Sequence, residues 1–195
     1  MTPMLVFDLE TIPDVEGLRA LNGWGEDVPD AEVVERATAA RREAVGHDFL
    51  PLHLQKIAVV GCVFRDDDGF RVKCIGKADD PEATLISGFF KTIDRYTPQL
   101  ISWNGSGFDL PVLHYRGLIH GIQASRYWDM GEDDRDFRYS NYISRYHNRH
   151  CDLMDLLAKY NGRANAPLDE LAKLCGFPGK MGMDGSQVWP AWSSG

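Results

Sequence analysis

Residues 5–13 read LVFDLETIP, an apolar run carrying two acids, Asp8 and Glu10, one position apart. Its alternation and its richness in Leu, Val and Phe predict a strand over 4–11. Residues i and i+2 of a strand share a face, so Asp8 and Glu10 point one way while Phe7 and Leu9 point the other. Two readings stand side by side: an exposed strand edge, or a pair of oxygen ligands for a divalent cation.

The rest of the chain supplies the scaffold around that strand. Residues 14–55 change character: DAEVVERATAARREAVG is rich in Ala, Glu and Arg and predicts a mostly helical insertion. KIAVVGCVFRD and FRVKCIGK flank DDDG, whose Asp68-Gly69 predicts a hairpin. Pro81 suits the first turn of a helix in which Leu85, Phe89 and Ile93 recur at helical spacing. QLISWN predicts another strand, and Ser106 is placed to cap a helix over 108–118. A short strand near His150–Leu153 follows, then the helices LMDLLAKY and LDELAKLCG, the second ended by Gly176 and Pro178. The order implies one mixed α/β sheet with helices packed on it, a single domain over 1–195 with 14–55 as its insertion.

Composition narrows the function classes. At 195 residues and 44% apolar, the chain can build an adequate core. No run approaches the ~18 apolar residues of a membrane span, and MTPMLVFDLE lacks the basic start of a signal peptide. The cysteines Cys62, Cys74, Cys151 and Cys175 are widely spaced with no C-x-x-C, as in reduced cytoplasmic proteins. A net charge of −8 argues against a sequence-independent nucleic-acid coat protein, which would be basic. An enzyme acting on nucleic acid remains open, because bound cations offset local acids.

The second chemical stretch is SWNGSGFDLP, residues 102–111, where a strand runs into a Gly-containing loop and Asp109 enters the first turn of a helix. A helix-stabilising acid is the plain reading of Asp109, and Asn104 suits a turn. Together, LVFDLETIP and SWNGSGFDLP resemble the first and second motifs of the DEDD (DnaQ-like) superfamily of 3′-5′ exonucleases, in particular the group related to the proofreading domain of B-family DNA polymerases. RHCDLMDLL and LDELAKLCGFPGKMGMDGSQVW resemble that group's later strand and helix.

The resemblance implies a ribonuclease H-like fold with a five-stranded sheet, and hydrolysis at the 3′ end of DNA by two Mg²⁺ or Mn²⁺ ions. It implies that Asp8 bridges both ions, that Glu10 binds one and orients the attacking water, and that Asp109 holds the other. Thr11, Ile12, Asn104 and Phe108 are implied to face the terminal nucleotide. RNA is an alternative substrate, and a non-catalytic nucleic-acid- or partner-binding module on the same fold is an alternative function.

The chain departs from that pattern at the third motif. No tyrosine has Asp four residues later, and His147, with Asp152, has the alternative spacing. HCDLMDLL matches the strand before that motif better. After MGMDGSQVW the sequence reads PAWSSG where the resemblance calls for Tyr-x-x-x-Asp, so the C-terminal part of the fold is expected to be missing and activity of this form is in question.

Three further features bear on nucleic acid. DFRYSNYISRYHNRH, residues 136–150, interleaves Arg138, Arg145 and Arg149 with aromatic rings, which suits a single strand or a loop packed on the core. Lys180 is a candidate phosphate contact. His147, His150 and Cys151 lack the spacing of a tetrahedral zinc site.

Overall fold

The computed structural model describes residues 2–77, 79–179, 182 and 185–194. LVFDLETIP lies in β1 (Met4–Pro13), and its alternation appears directly in the packing: Leu5, Phe7 and Leu9 are buried while Asp8 and Glu10 are exposed. The hairpin of β2 (Gln55–Asp66) and β3 (Gly69–Cys74) runs antiparallel along one side of β1. On the other side lie β4 (Gln99–Ser102) and β5 (His150–Asp152), both parallel to β1. The order β3-β2-β1-β4-β5 makes the mixed five-stranded α/β sheet that the sequence predicts.

Parallel neighbours need crossover connections, and helices supply them. The link from β3 to β4 is α3 (Glu82–Tyr96), and α4 (Asp109–Ile119) begins the longer return to β5. Leu85, Phe89 and Ile93, the residues at helical spacing in α3, are buried in one cluster with Leu5, Phe7 and Leu9. The Phe7 and Phe89 rings lie 5.0 Å apart. Each such side chain contributes about 1.5–3 kcal/mol when fully buried, so the apolar face of β1 anchors the strand that carries the acids. Residues 14–55 contain α1 (Val15–Asn22) and α2 (Asp30–Val45), with Leu18, Val33, Leu50 and Leu54 forming a second, smaller core.

Local details differ from expectation. Pro81 stands at the N-cap of α3, one position before its first turn. No side chain caps α4, whose N-cap residue is Phe108; Ser106 instead turns its backbone N–H to Asp152, at 2.9 Å. The connection from α4 to β5 holds α5 (Ser125–Trp128), and beyond β5 come α6 (Leu153–Leu157), α7 (Leu168–Leu174) and α8 (Gly185–Ser194). Helix α8 packs against β1 although it contains Pro190, so no clean apolar period announces it.

A buried ionic cluster ties the helices to the sheet. Arg116 of α4 donates through Nε and Nη2 to the two oxygens of Glu82, at 2.9 and 2.5 Å, and through Nη1 to Asp14 at 2.5 Å. Glu82 also accepts the Ile57 N–H at 2.7 Å and meets His120 Nε2 at 2.7 Å. Asp14 in turn caps α1 by accepting the Gly17 N–H. Because Glu82 and Arg116 are buried, removing one partner strands the other's charge. Arg116→Met is therefore expected to lower unfolding free energy by about 3–5 kcal/mol in urea titrations. Adding Glu82→Gln should recover part of that loss, since the stranded charge is then gone.

Candidate active site

The site begins with a difference in strand length. β4 pairs with β1 only at Met4, Leu5 and Val6, so β1 runs on past its parallel neighbour. Beyond that point the Leu9 N–H is taken by Asp109, whose Oδ1 accepts it at 3.0 Å. Leu9 is the residue between Asp8 and Glu10, so this bond ties the Asp109 carboxylate to the backbone of the acidic strand, close enough to feel the charge of Asp8. Asp109 is 3% exposed. Its pKa is pushed up to about 7, first by burial and next by the charge of Asp8, against the lowering effect of the Leu9 N–H.

The loop before Asp109 is shaped to deliver it. Asn104 adopts a left-handed backbone with φ of 61°, a conformation that Asn tolerates better than most residues. Its carbonyl accepts the N–H groups of Gly107 and Phe108, both at 3.0 Å, closing the turn into α4. A side chain at Gly105 would collide with Ser102, and one at Gly107 would lie 2.5 Å from Asn104 Oδ1. Both glycines of NGSG are thus required by close approach.

The loop is braced from β5. Asp152 Oδ1 accepts the Asn104 N–H at 2.9 Å, Oδ2 accepts the Ser106 N–H at 2.9 Å, and Oδ1 also takes the Met154 N–H at 3.2 Å, capping α6. Beside it, Ser102 Oγ and His150 Nε2 share a buried 2.8 Å hydrogen bond, and burial holds the His150 pKa below its ordinary value. Asp152 thus holds the loop through backbone donors, consistent with HCDLMDLL matching the strand before the third motif. Its bracing role escaped the sequence reading; the trace it left was an Asp at the start of a short helix.

A cleft of about 750 Å³ opens at Glu10; Asp8 and Asp109 are not among its lining residues. Glu10, Thr11, Asn104 and Phe108, all picked out from the sequence, line it, together with Phe49 and Trp189, which were not. Phe108 packs partly on the main core and presents its ring to Phe49, with centroids 5.9 Å apart. Thr11 Oγ1 donates to Gln55 Oε1 at 3.0 Å. Ile12 does not reach this cleft: it is 3% exposed and borders a neighbouring cavity with Trp192 of α8.

The arginine–aromatic stretch divides: Phe137 and Tyr142 pack inward, while Arg138, Tyr139, Arg145 and Tyr146 are exposed, so each of its two readings describes part of it. Phe137 is buried beneath the guanidinium groups of Arg149 and Arg126, at 4.0 and 4.3 Å. Arg138 donates to the Gly131 carbonyl, and Arg145 pairs with Asp155 at 2.5 Å. The Nδ1 of His147 accepts the Asn141 N–H at 3.1 Å. Lys180 lies outside the described residues.

Residues 47–195 match the family described as predicted 3′-5′ exonucleases related to the exonuclease domain of PolB. The chain belongs to this family. The matched span takes in the Asn104–Asp109 loop and Asp152 but starts after β1, so Asp8 and Glu10 precede it. No curated protein matches the chain.

Members of an exonuclease family imply divalent metal, and the donor set fits in part. Exposed Asp8 and buried Asp109 are oxygen donors whose mutual repulsion a divalent cation would relieve. Among the described residues, however, no three His, Cys, Asp or Glu side chains are gathered closely enough to hold a metal ion.

Asp109 carries a pH signature. Its folded pKa lies above the unfolded value, so ionising it costs stability, a cost that grows as pH rises from about 4 to about 7 and is then constant. In EDTA, Asp109→Asn is expected to gain stability over the wild type, by about 2–3 kcal/mol more at pH 8 than at pH 5. Chemical denaturation at the two pH values reads the difference; an equal gain at both would show that the carboxyl is not raised.

Proposed function

We propose that the chain is a divalent-metal-dependent 3′-5′ exonuclease that hydrolyses phosphodiester bonds at single-stranded or unpaired 3′ ends of DNA. The observation that supports it best is the Asp109 carboxylate, buried, bonded to the backbone between Asp8 and Glu10, and feeling Asp8 as its strongest charge. Asp8, Glu10 and Asp109 are the residues proposed to hold Mg²⁺ or Mn²⁺, hard ions that favour carboxylate oxygen. A bound pair of such ions supplies an activated water and stabilises the attacking and leaving oxygens of the displaced phosphate.

The chain's own residues do the positioning. Glu10, which is exposed and lines the cleft, is proposed to orient the attacking water. The bond from Leu9 holds Asp109 in place before substrate arrives, so little reorganisation is needed at the reacting phosphate. Asn104 and Phe108, on the loop braced by Asp152, face the cleft where the terminal nucleotide is proposed to sit, with Thr11 beside Glu10.

A second reading, a binding module without hydrolysis, draws on the absence of a three-ligand cluster among the described residues. The two are separated by incubating 5′-labelled single-stranded DNA with the protein in Mg²⁺ or Mn²⁺. Stepwise shortening from the 3′ end is expected, abolished by EDTA. Mutating groups that merely orient metal ligands costs ~10–100-fold, so Asp8→Ala and Asp109→Ala should each lower the rate at least about 100-fold. Binding without shortening by the wild type would establish the module reading, and preferential shortening of an RNA strand would move the substrate class.

A further inference from the structure

Resting on the exonuclease reading, we propose that Phe49 is a substrate-positioning residue: with Phe108 it forms a two-ring platform that receives the terminal base of an unpaired strand. Phe49 lies on the connector between α2 and β2, and half of it is exposed although its ring lies in the cleft beside Glu10. Its ring faces that of Phe108 at 5.9 Å, a tilted pair that leaves apolar surface open to the cleft.

The connector is held on both sides of the ring. Asp48 pairs with Arg42 at 2.7 Å, and Arg41 Nε donates to the Phe49 carbonyl at 3.3 Å. Leu50 is buried in the small core, and its carbonyl accepts Gln55 Nε2 at 3.0 Å. Gln55 is the same side chain that accepts from Thr11, the neighbour of Glu10. The exposed ring is thus fixed relative to the acids by a continuous set of bonds, so that binding need not order it.

The chemistry of the walls selects the occupant. Among the described residues no Lys, Arg or His lines this cleft; the charged side chains in it are Glu10 and Asp48. A phosphate set deep in it would meet like charge, whereas a nucleobase is neutral and flat and stacks on aromatic rings whatever its identity. A base reaches such a platform only by leaving its duplex neighbours, which makes an unpaired end the fitting substrate.

The test measures binding of a fluorescein-labelled oligothymidylate in Ca²⁺ by anisotropy, using one strand with an intact 3′ terminus and one whose last residue is abasic. Base stacking is worth enough that Phe49→Ala should weaken the intact strand about 5- to 100-fold, with Phe49→Trp close to wild type. On the abasic strand, Phe49→Ala and wild type should bind alike. Equal binding of the intact strand by wild type and Phe49→Ala would overturn the proposal, as would equal losses on both strands, which would mark a structural role. Failure of the wild type to bind either strand would overturn it together with the exonuclease reading. Stacking that behaves as expected, without shortening in Mn²⁺, would remove the exonuclease reading alone.

Discussion

The hydrogen bond from the Leu9 N–H to the Asp109 carboxylate joins two elements that the sheet itself leaves apart. β4 pairs with only the first residues of β1, and the chain then turns away through the Asn104–Phe108 loop. A backbone donor on a buried face of β1 has to find an acceptor once the neighbouring strand is gone. A carboxylate in the first turn of α4 provides it, and the charge so placed sits beside Asp8. The short strand, the turn with two obligatory glycines and the acid at the helix start are therefore one arrangement. Lengthening β4 would satisfy Leu9 without Asp109 and leave the acids unconnected.

Buried acids in this fold differ in what surrounds them, and the difference separates scaffold from chemistry. Asp152 spends its oxygens on the N–H groups of Asn104, Ser106 and Met154. Glu82 is enclosed by Arg116, His120 and the Ile57 N–H. Burial would raise the pKa of Asp129, yet the N–H groups of Gly131, Asp134, Asp133 and Glu132 hold it below the usual carboxylate range. For Asp109, in contrast to Asp129, burial and a neighbouring acid outweigh the donors and carry the pKa up to about 7. A carboxyl raised by burial beside a second acid is the kind of group that recurs at functional sites, and this makes Asp109 the candidate among these acids.

The sequence made the sheet legible where one side chain period decided an element. Leu5, Phe7 and Leu9 alternate, Leu85, Phe89 and Ile93 recur at helical spacing, and Asp68-Gly69 marks a hairpin; each is a local pattern, and each survives into the packing. Asp109 and its Gly-containing loop were legible as the start of a helix, and as site residues only through the family resemblance. What the sequence hid are contacts made by residues with no period: Asp152 reaching from β5 to the loop, Phe49 brought beside Phe108, and Trp189 of α8 brought beside Glu10. The stretch over 136–150 stayed ambiguous because an arginine beside an aromatic ring reads alike whether it faces solvent, as Arg145 does, or lies on a buried ring such as Phe137. Ile12 misled, since its position after Glu10 says nothing about how deeply the end of β1 is covered.

With a net charge of −8, and with Arg145 paired to Asp155 and Arg149 lying on the Phe137 ring, the chain offers little free basic surface of the kind by which proteins grip nucleic acid along its backbone. On the proposed reading, recognition has to come instead from two places that meet at Glu10: cations held by the carboxylates, which draw the terminal phosphates, and the rings of Phe49 and Phe108, which take a base. Both act on the last nucleotides alone. A strand gripped only there gains nothing from its length and, once shortened by one residue, presents the same chemical features again. An acidic exonuclease is therefore consistent in physical terms, because the negative charge that discourages binding along the strand leaves the end as the place where attraction exceeds repulsion.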